Sequence, residues 1–121
     1  MKEEARGSDR TTNATALADV EKYFEQRRGV GLVLPRGWYG RPHDNWFTLT
    51  GGEASIRSLR LELNGEVQLR FEGTPRVATT DDGLQIGGFD ELALAWGTPA
   101  AEPSEVFRSG AVLLVPSQWR Q

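Results

Sequence analysis

The chain reads as a mostly β domain of the α+β kind. The expected architecture is an antiparallel roll, barrel or sandwich of about six to eight strands, with one N-terminal helix packed on it. Three observations predict this. Short apolar runs alternate with turn residues from Val30 to Val115, the spacing of antiparallel strands. Asn64-Gly65 stands between Leu59, Leu61 and Leu63 on one side and Val67, Leu69 and Phe71 on the other, a hairpin signal. Helical periodicity is confined to one stretch, ahead of all the strands.

Residues 1–13 are polar, charged and small, which predicts a mobile tail and leaves 14–121 as a single folded domain. The helix is expected over 14–28, because Leu17, Val20 and Phe24 recur at i, i+3 and i+7 with Tyr23 beside them. Asn13 or Thr15 would cap its start. Arg27 and Arg28 suit the negative end of its dipole, and Gly29 suits a left-handed stop. A strand follows on Val30, Leu32 and Leu34. After a turn-rich stretch from Pro35 to Asn45, another runs from Trp46 to Thr50 and ends at Gly51-Gly52.

At the hairpin, a two-residue Asn64-Gly65 loop would set Leu61 opposite Gln68 and Leu59 opposite Arg70, mixing apolar and polar side chains on one face. A three-residue Leu63-Asn64-Gly65 loop with Gly65 left-handed avoids this, pairing Leu61 with Val67 and Leu59 with Leu69. Further strands are expected at Arg76–Thr79 and Leu84–Ile86, around an Asp81-Asp82-Gly83 turn, and along the alternation of Leu92, Leu94 and Trp96. Pro99 and Pro103 mark 97–104 as loop or edge. The last strand, from Val106 to Val115, contains the unbroken apolar run Ala111-Val112-Leu113-Leu114-Val115. That run predicts burial on both faces, under the helix on one side and against another sheet or subunit on the other.

Composition narrows the function classes. Net charge is −3, and the 14 basic residues are scattered instead of clustered, which argues against nucleic acid as a partner. Cys is absent, removing disulfides, thiolate metal sites and Cys nucleophiles together. No apolar stretch is long enough to serve as a signal peptide or membrane span, so a cytoplasmic protein without a membrane partner is expected. Phosphate loops, nucleophile elbows and dinucleotide fingerprints are all missing, so neither a cofactor nor an enzyme activity is expected. With one His, a zinc site would have to be built almost wholly from carboxylates. Asp81, Asp82, Asp90 and Glu91 could hold a hard cation, but carboxylates beside glycine turns are usually solvated turn formers.

The densest chemistry lies between Leu34 and Trp46, where Arg36, Trp38, Tyr39, Arg41, His43, Asp44 and Asn45 share a loop rich in Gly and Pro. Trp, Tyr and Arg together are the composition of a binding hot spot. A structural reading stays open beside it, in which Trp38 and Trp46 plug the core and Asp44 or Asn45 caps local amides. His43 beside Asp44 invites acid–base chemistry, yet neighbours in an extended segment point to opposite faces, so Asp44 is poorly placed to orient it. The stretch resembles the signature Leu-Pro-x-Gly-Trp-x-Gly-Arg-Pro-x-Asp-Asn of a family of small bacterial proteins with no activity attached. The match covers the twelve residues from Leu34 to Asn45, and the resemblance implies a β-rich domain.

The leading expectation is a non-catalytic interaction module that presents the 35–46 loop to a protein partner or to a second copy of itself. The alternative is a small-anion binder or minor enzyme, with a pocket between helix and sheet floored by Trp96 and rimmed by Arg41, His43 and Asp44.

Overall fold

The computed structural model describes residues 8–27, 29–39, 46–98 and 101–116. These residues form one helix, α1 (Ser8–Glu25), followed by ten strands: β1 (Val30–Leu34), β2 (Gly37–Trp38), β3 (Leu49–Ser55), β4 (Ser58–Leu63), β5 (Val67–Glu72), β6 (Arg76–Thr79), β7 (Leu84–Gly87), β8 (Glu91–Trp96), β9 (Glu105–Phe107) and β10 (Ala111–Pro116). Two five-stranded antiparallel sheets result. Sheet A has the order β2-β1-β10-β7-β6, and sheet B the order β3-β4-β5-β8-β9. Among the expected architectures this is the sandwich, with more strands than the six to eight expected. Two of them, β2 and β9, are only two and three residues long; β2 falls in the turn-rich stretch expected as a loop, and β9 takes the start of the expected last strand.

Alternation builds the core. Leu59, Leu61, Leu63, Val67, Leu69, Phe71, Leu92 and Leu94 from sheet B meet Val30, Leu32, Leu34, Leu84, Ile86, Val112 and Leu114 from sheet A in one buried cluster. The hairpin register differs from expectation by two residues. Leu63 pairs with Val67, Leu61 with Leu69 and Leu59 with Phe71, so the apolar faces match as argued but one step further along. Asn64 takes φ 55° and Gly65 φ 69°, and the Glu66 amide donates to Leu63 O at 3.0 Å. The tight turn therefore uses both left-handed residues and leaves Leu63 free to pair.

The helix lies along the slot between the edge strands β3 and β6, joining the two sheets on that side. Ala16, Val20, Tyr23 and Phe24 are its buried face. It starts at Ser8, so residues 8–13, expected in the tail, belong to it, and Asn13 and Thr15 lie inside it instead of capping it. Asn13 explains the extension. Its side chain is fully buried, and Nδ2 lies 2.9, 3.4, 3.1 and 3.0 Å from the carbonyl oxygens of Ser55, Ile56, Ser58 and Gly73, which ties the first half of the helix to the β3–β4 and β5–β6 turns. At the other end the helix stops at Glu25, three residues before the expected boundary. Arg27 Nη1 donates to Tyr23 O at 2.9 Å, satisfying a terminal carbonyl. Gly29 is not left-handed; it gives room to Trp46, whose Cβ would lie 3.0 Å from a Gly29 Cβ.

Two further boundaries move for packing reasons. Gly51-Gly52 lies inside β3, where a Cβ on Gly52 would meet Leu17 Cδ1 at 2.6 Å; the pair lets the helix approach the strand and does not end it. The expected strand from Val106 to Val115 is two, β9 in sheet B and β10 in sheet A, with the chain crossing between sheets at 108–110. In β10, Val112 and Leu114 point into the core; on the other face, which the helix does not cover, Val115 is buried and Leu113 half-exposed.

Candidate functional site

Strand alternation splits the aromatic stretch into two clusters. Trp38 and Tyr39 are neighbours and so are Trp46 and Phe47, and in each pair one ring goes to each side of sheet A. Tyr39 and Phe47 turn inward, their ring centroids 5.8 Å apart, and Tyr39 lies 5.7 Å from Trp96 at the end of β8. These rings close the sandwich at the side opposite the helix. Trp96 is thus part of that closure, about half-exposed, and it is not among the residues lining the three grooves along the helix.

Trp38 and Trp46 turn outward and do not plug the core. They converge over Gly31, where a Cβ would lie 3.0 Å from Trp38 Cζ3, 3.1 Å from Trp46 Cζ3 and 2.9 Å from Val115 Cγ2. Register continues the patch across the sheet: Val33 is paired with Trp38 on one side and with Leu113 on the other, and Gly31 with Val115. Val33, Trp38, Leu113, Val115 and Pro116 floor a groove of about 540 Å³ that ends at Asp81 and Asp82 in the β6–β7 turn. Sequence reasoning named Trp38, and placed Leu113 and Val115 in a run expected to pack against another sheet or subunit, but it did not name Val33 or join the run to Trp38. The signal for Leu113 and Val115 was that unbroken run in β10, whose alternate residues cannot all face one core.

The outer face of sheet B is different in kind. There Arg60 bonds Gln68 Oε1 at 2.9 Å and Glu53 Oε1 at 3.1 Å, while Gln68 Nε2 donates to Gly97 O at 3.0 Å, giving a polar belt across the strands. Beneath that belt Gln68, Ala93 and Ala95 are buried, so long polar side chains cover this face, whereas large apolar ones line the outer face of sheet A.

Arg36 is engaged within the molecule. Its Nε and Nη2 reach the two carboxylate oxygens of Glu105 at 2.8 and 3.0 Å, a bidentate pair joining the chain beside β2 to β9, and Nη1 donates to Trp38 O at 2.9 Å. The hydrogen bond to Arg36 holds the Glu105 carboxyl below the usual range, and the bond to Glu105 raises Arg36 in turn. An anion at Arg36 would have to displace that carboxylate. Arg41, His43, Asp44 and Asn45 lie outside the described residues.

Both tyrosines resist ionisation. Burial pushes Tyr39 up to about 12, with Glu66 and Glu105 adding to it, and burial also raises Tyr23, whose hydroxyl donates to Leu114 O at 3.0 Å. The folded values exceed the unfolded ones, so the stability this confers is complete below the ordinary phenol value and is lost as pH rises through the folded values. Tyrosinate absorbance at 295 nm should therefore rise at higher pH in the native protein than in urea, with one phenol of the native protein titrating near 12. Equal curves in the two states would contradict the burial of both rings.

Among the described residues no three His, Cys, Asp or Glu side chains gather where a metal could bind. The acidic set of the sequence is divided: Asp90 lies 3.7 Å from Arg57 and Glu91 3.5 Å from Arg108, away from the Asp81-Asp82 turn. No helix among the described residues is long and apolar enough to cross a membrane. Comparison with known families, curated proteins and solved structures finds no match.

Proposed function

We propose that this domain is a non-catalytic interaction module of the cytoplasm, and that it docks a protein partner on the outer face of sheet A. The observation carrying this reading is the convergence of Trp38, Trp46 and Val115 over Gly31 on a sheet face that would ordinarily be polar. Half-buried indoles on a rigid sheet supply large contact area at small ordering cost, the property that makes Trp a frequent anchor of interfaces. Arg36 and Tyr39, expected in the same surface, act in this reading as its support: the Arg36–Glu105 pair and the Tyr39–Trp96 contact hold β2 against sheet B.

The test is affinity capture from the native host followed by reconstitution of the complex from purified components. A stoichiometric partner should shift the methyl resonances of Val33, Leu113 and Val115, and its affinity should fall at least tenfold in a folded Trp38→Ala variant, the loss of a hot-spot anchor. Retention of full affinity by Trp38→Ala, with shifts confined to sheet B, would sink the reading.

A further inference from the structure

We infer that the occupant of the sheet A groove is an extended protein segment in which an apolar side chain is followed two residues later by Arg or Lys, the spacing that puts both on one face. This rests on the docking face proposed above and adds the chemistry of the partner. The groove is asymmetric along its length: Val33, Trp38, Leu113 and Val115 make an apolar floor, and the far end is closed by two consecutive carboxylates, Asp81 and Asp82. Both carboxylates are exposed. The turn that carries them is held without them, by Thr80 N to Gly83 O at 2.7 Å and by Thr80 Oγ1, which bonds Gly83 O at 3.1 Å and accepts from the Asp82 amide at 3.2 Å. Their charges are therefore not consumed in making the hairpin.

Asp81 and Asp82 put negative charge beside apolar surface, on a chain whose net charge is already negative. An acidic segment would bring like charges together there. A cationic one gains from the carboxylates. The same end charge disfavours phosphate-bearing ligands, which separates this site from a nucleic-acid or anionic-lipid surface. A guanidinium or ammonium head with its aliphatic stem along Leu113 and Val115 matches both parts of the groove, because such side chains bury the stem and keep the head polar.

The experiment uses the whole chain and three synthetic peptides that differ at one residue: acetyl-Ser-Leu-Ser-Arg-Ser-amide, which places Leu and Arg on one face, and the same peptide with Gln or with Glu in place of Arg. Methyl shifts of Val33, Leu113 and Val115 report the site, and the shift isotherm reports affinity. The Arg peptide is expected to bind about five- to tenfold tighter than the Gln peptide, and the Glu peptide more weakly than either, with the preference shrinking as salt is raised. In an Asp81→Asn, Asp82→Asn variant that melts like the wild type, the Arg and Gln peptides should bind alike. Equal affinity for all three peptides, with the same methyls shifting, would overturn the basic partner and keep the docking face. Absence of any shift at these methyls overturns the inference, and if the captured partner also leaves them unmoved, the face falls with it. Methyl shifts that depend on protein concentration and track dimer formation would make the occupant a second copy and likewise overturn the proposal.

Discussion

Asn13→Asp is expected to cost about 3–5 kcal/mol at neutral pH, although it changes one atom of the side chain and leaves its volume intact. Nδ2 of Asn13 is surrounded by four carbonyl oxygens, those of Ser55, Ile56, Ser58 and Gly73, all within 3.4 Å. Only a donor is tolerated at that point. The orientation of the amide follows, since the reverse would put Oδ1 against the same four oxygens, and Oδ1 in place is buried without a partner. A carboxylate there is an acceptor among acceptors, charged and without access to water, so its folded pKa must rise above the ordinary Asp value. With the folded value raised, the native state binds more protons than the unfolded one between the two values, and the variant gains stability as pH falls through the folded value. Urea denaturation at pH 7 and pH 5 should show the deficit relative to wild type shrinking in acid. Asn13→Ala, which leaves carbonyls short of a donor without adding charge, should cost about 1–3 kcal/mol with no such recovery. A negligible deficit for Asn13→Asp at both pH values, beside a full deficit for Asn13→Ala, would show that volume and not the donor is what Asn13 supplies.

Asn13 also shows where reading the sequence stops. The apolar periods of the helix and strands were legible, because burial enforces them at every turn: Val20 and Phe24, or Leu59, Leu61 and Leu63, have no other place to go. The hairpin faces were legible for the same reason, since a register error of one residue would turn Arg60 inward, whereas an error of two costs nothing in pattern and was made. A polar residue inside a polar segment carries no such signal. Nothing local distinguishes Asn13 from a solvated tail residue, and its partners lie 42 to 60 residues away. The candidate site divides similarly. Composition pointed to Trp38, and alternation could have separated it from Tyr39, but that Gly31 is the floor on which two indoles meet depends on β2 and Phe47 both pairing with β1, and Val115 joins them only because β10, from the other end of the chain, pairs with β1 as well.

Gly83→Ala is expected to be among the most damaging single-methyl additions in the chain, costing about 3–5 kcal/mol. Two effects combine there. The backbone holds φ at 155°, a region that side chains other than hydrogen rarely adopt. A Cβ would also overlap the carbonyl oxygen of Leu114 and stand 3.0 Å from its carbonyl carbon and 3.2 Å from Tyr23 Oη. Leu114 belongs to β10, the middle strand of sheet A, and its carbonyl receives the hydroxyl of Tyr23 from the helix. The methyl would thus press the β6–β7 turn off the central strand and prise away the hydrogen bond that ties the helix to it. Two controls separate the causes. Gly65→Ala carries the conformational penalty alone, since φ is 69° and nothing lies within 4 Å of the added carbon; it should cost about 1–2 kcal/mol. Tyr23→Phe removes only the hydrogen bond and should cost about 1 kcal/mol. Thermal unfolding of the three variants ranks them directly. If Gly83→Ala melts no lower than Gly65→Ala, the β6–β7 turn must sit further from Leu114 than described, and the carboxylates of Asp81 and Asp82 would move away from the sheet A groove with it.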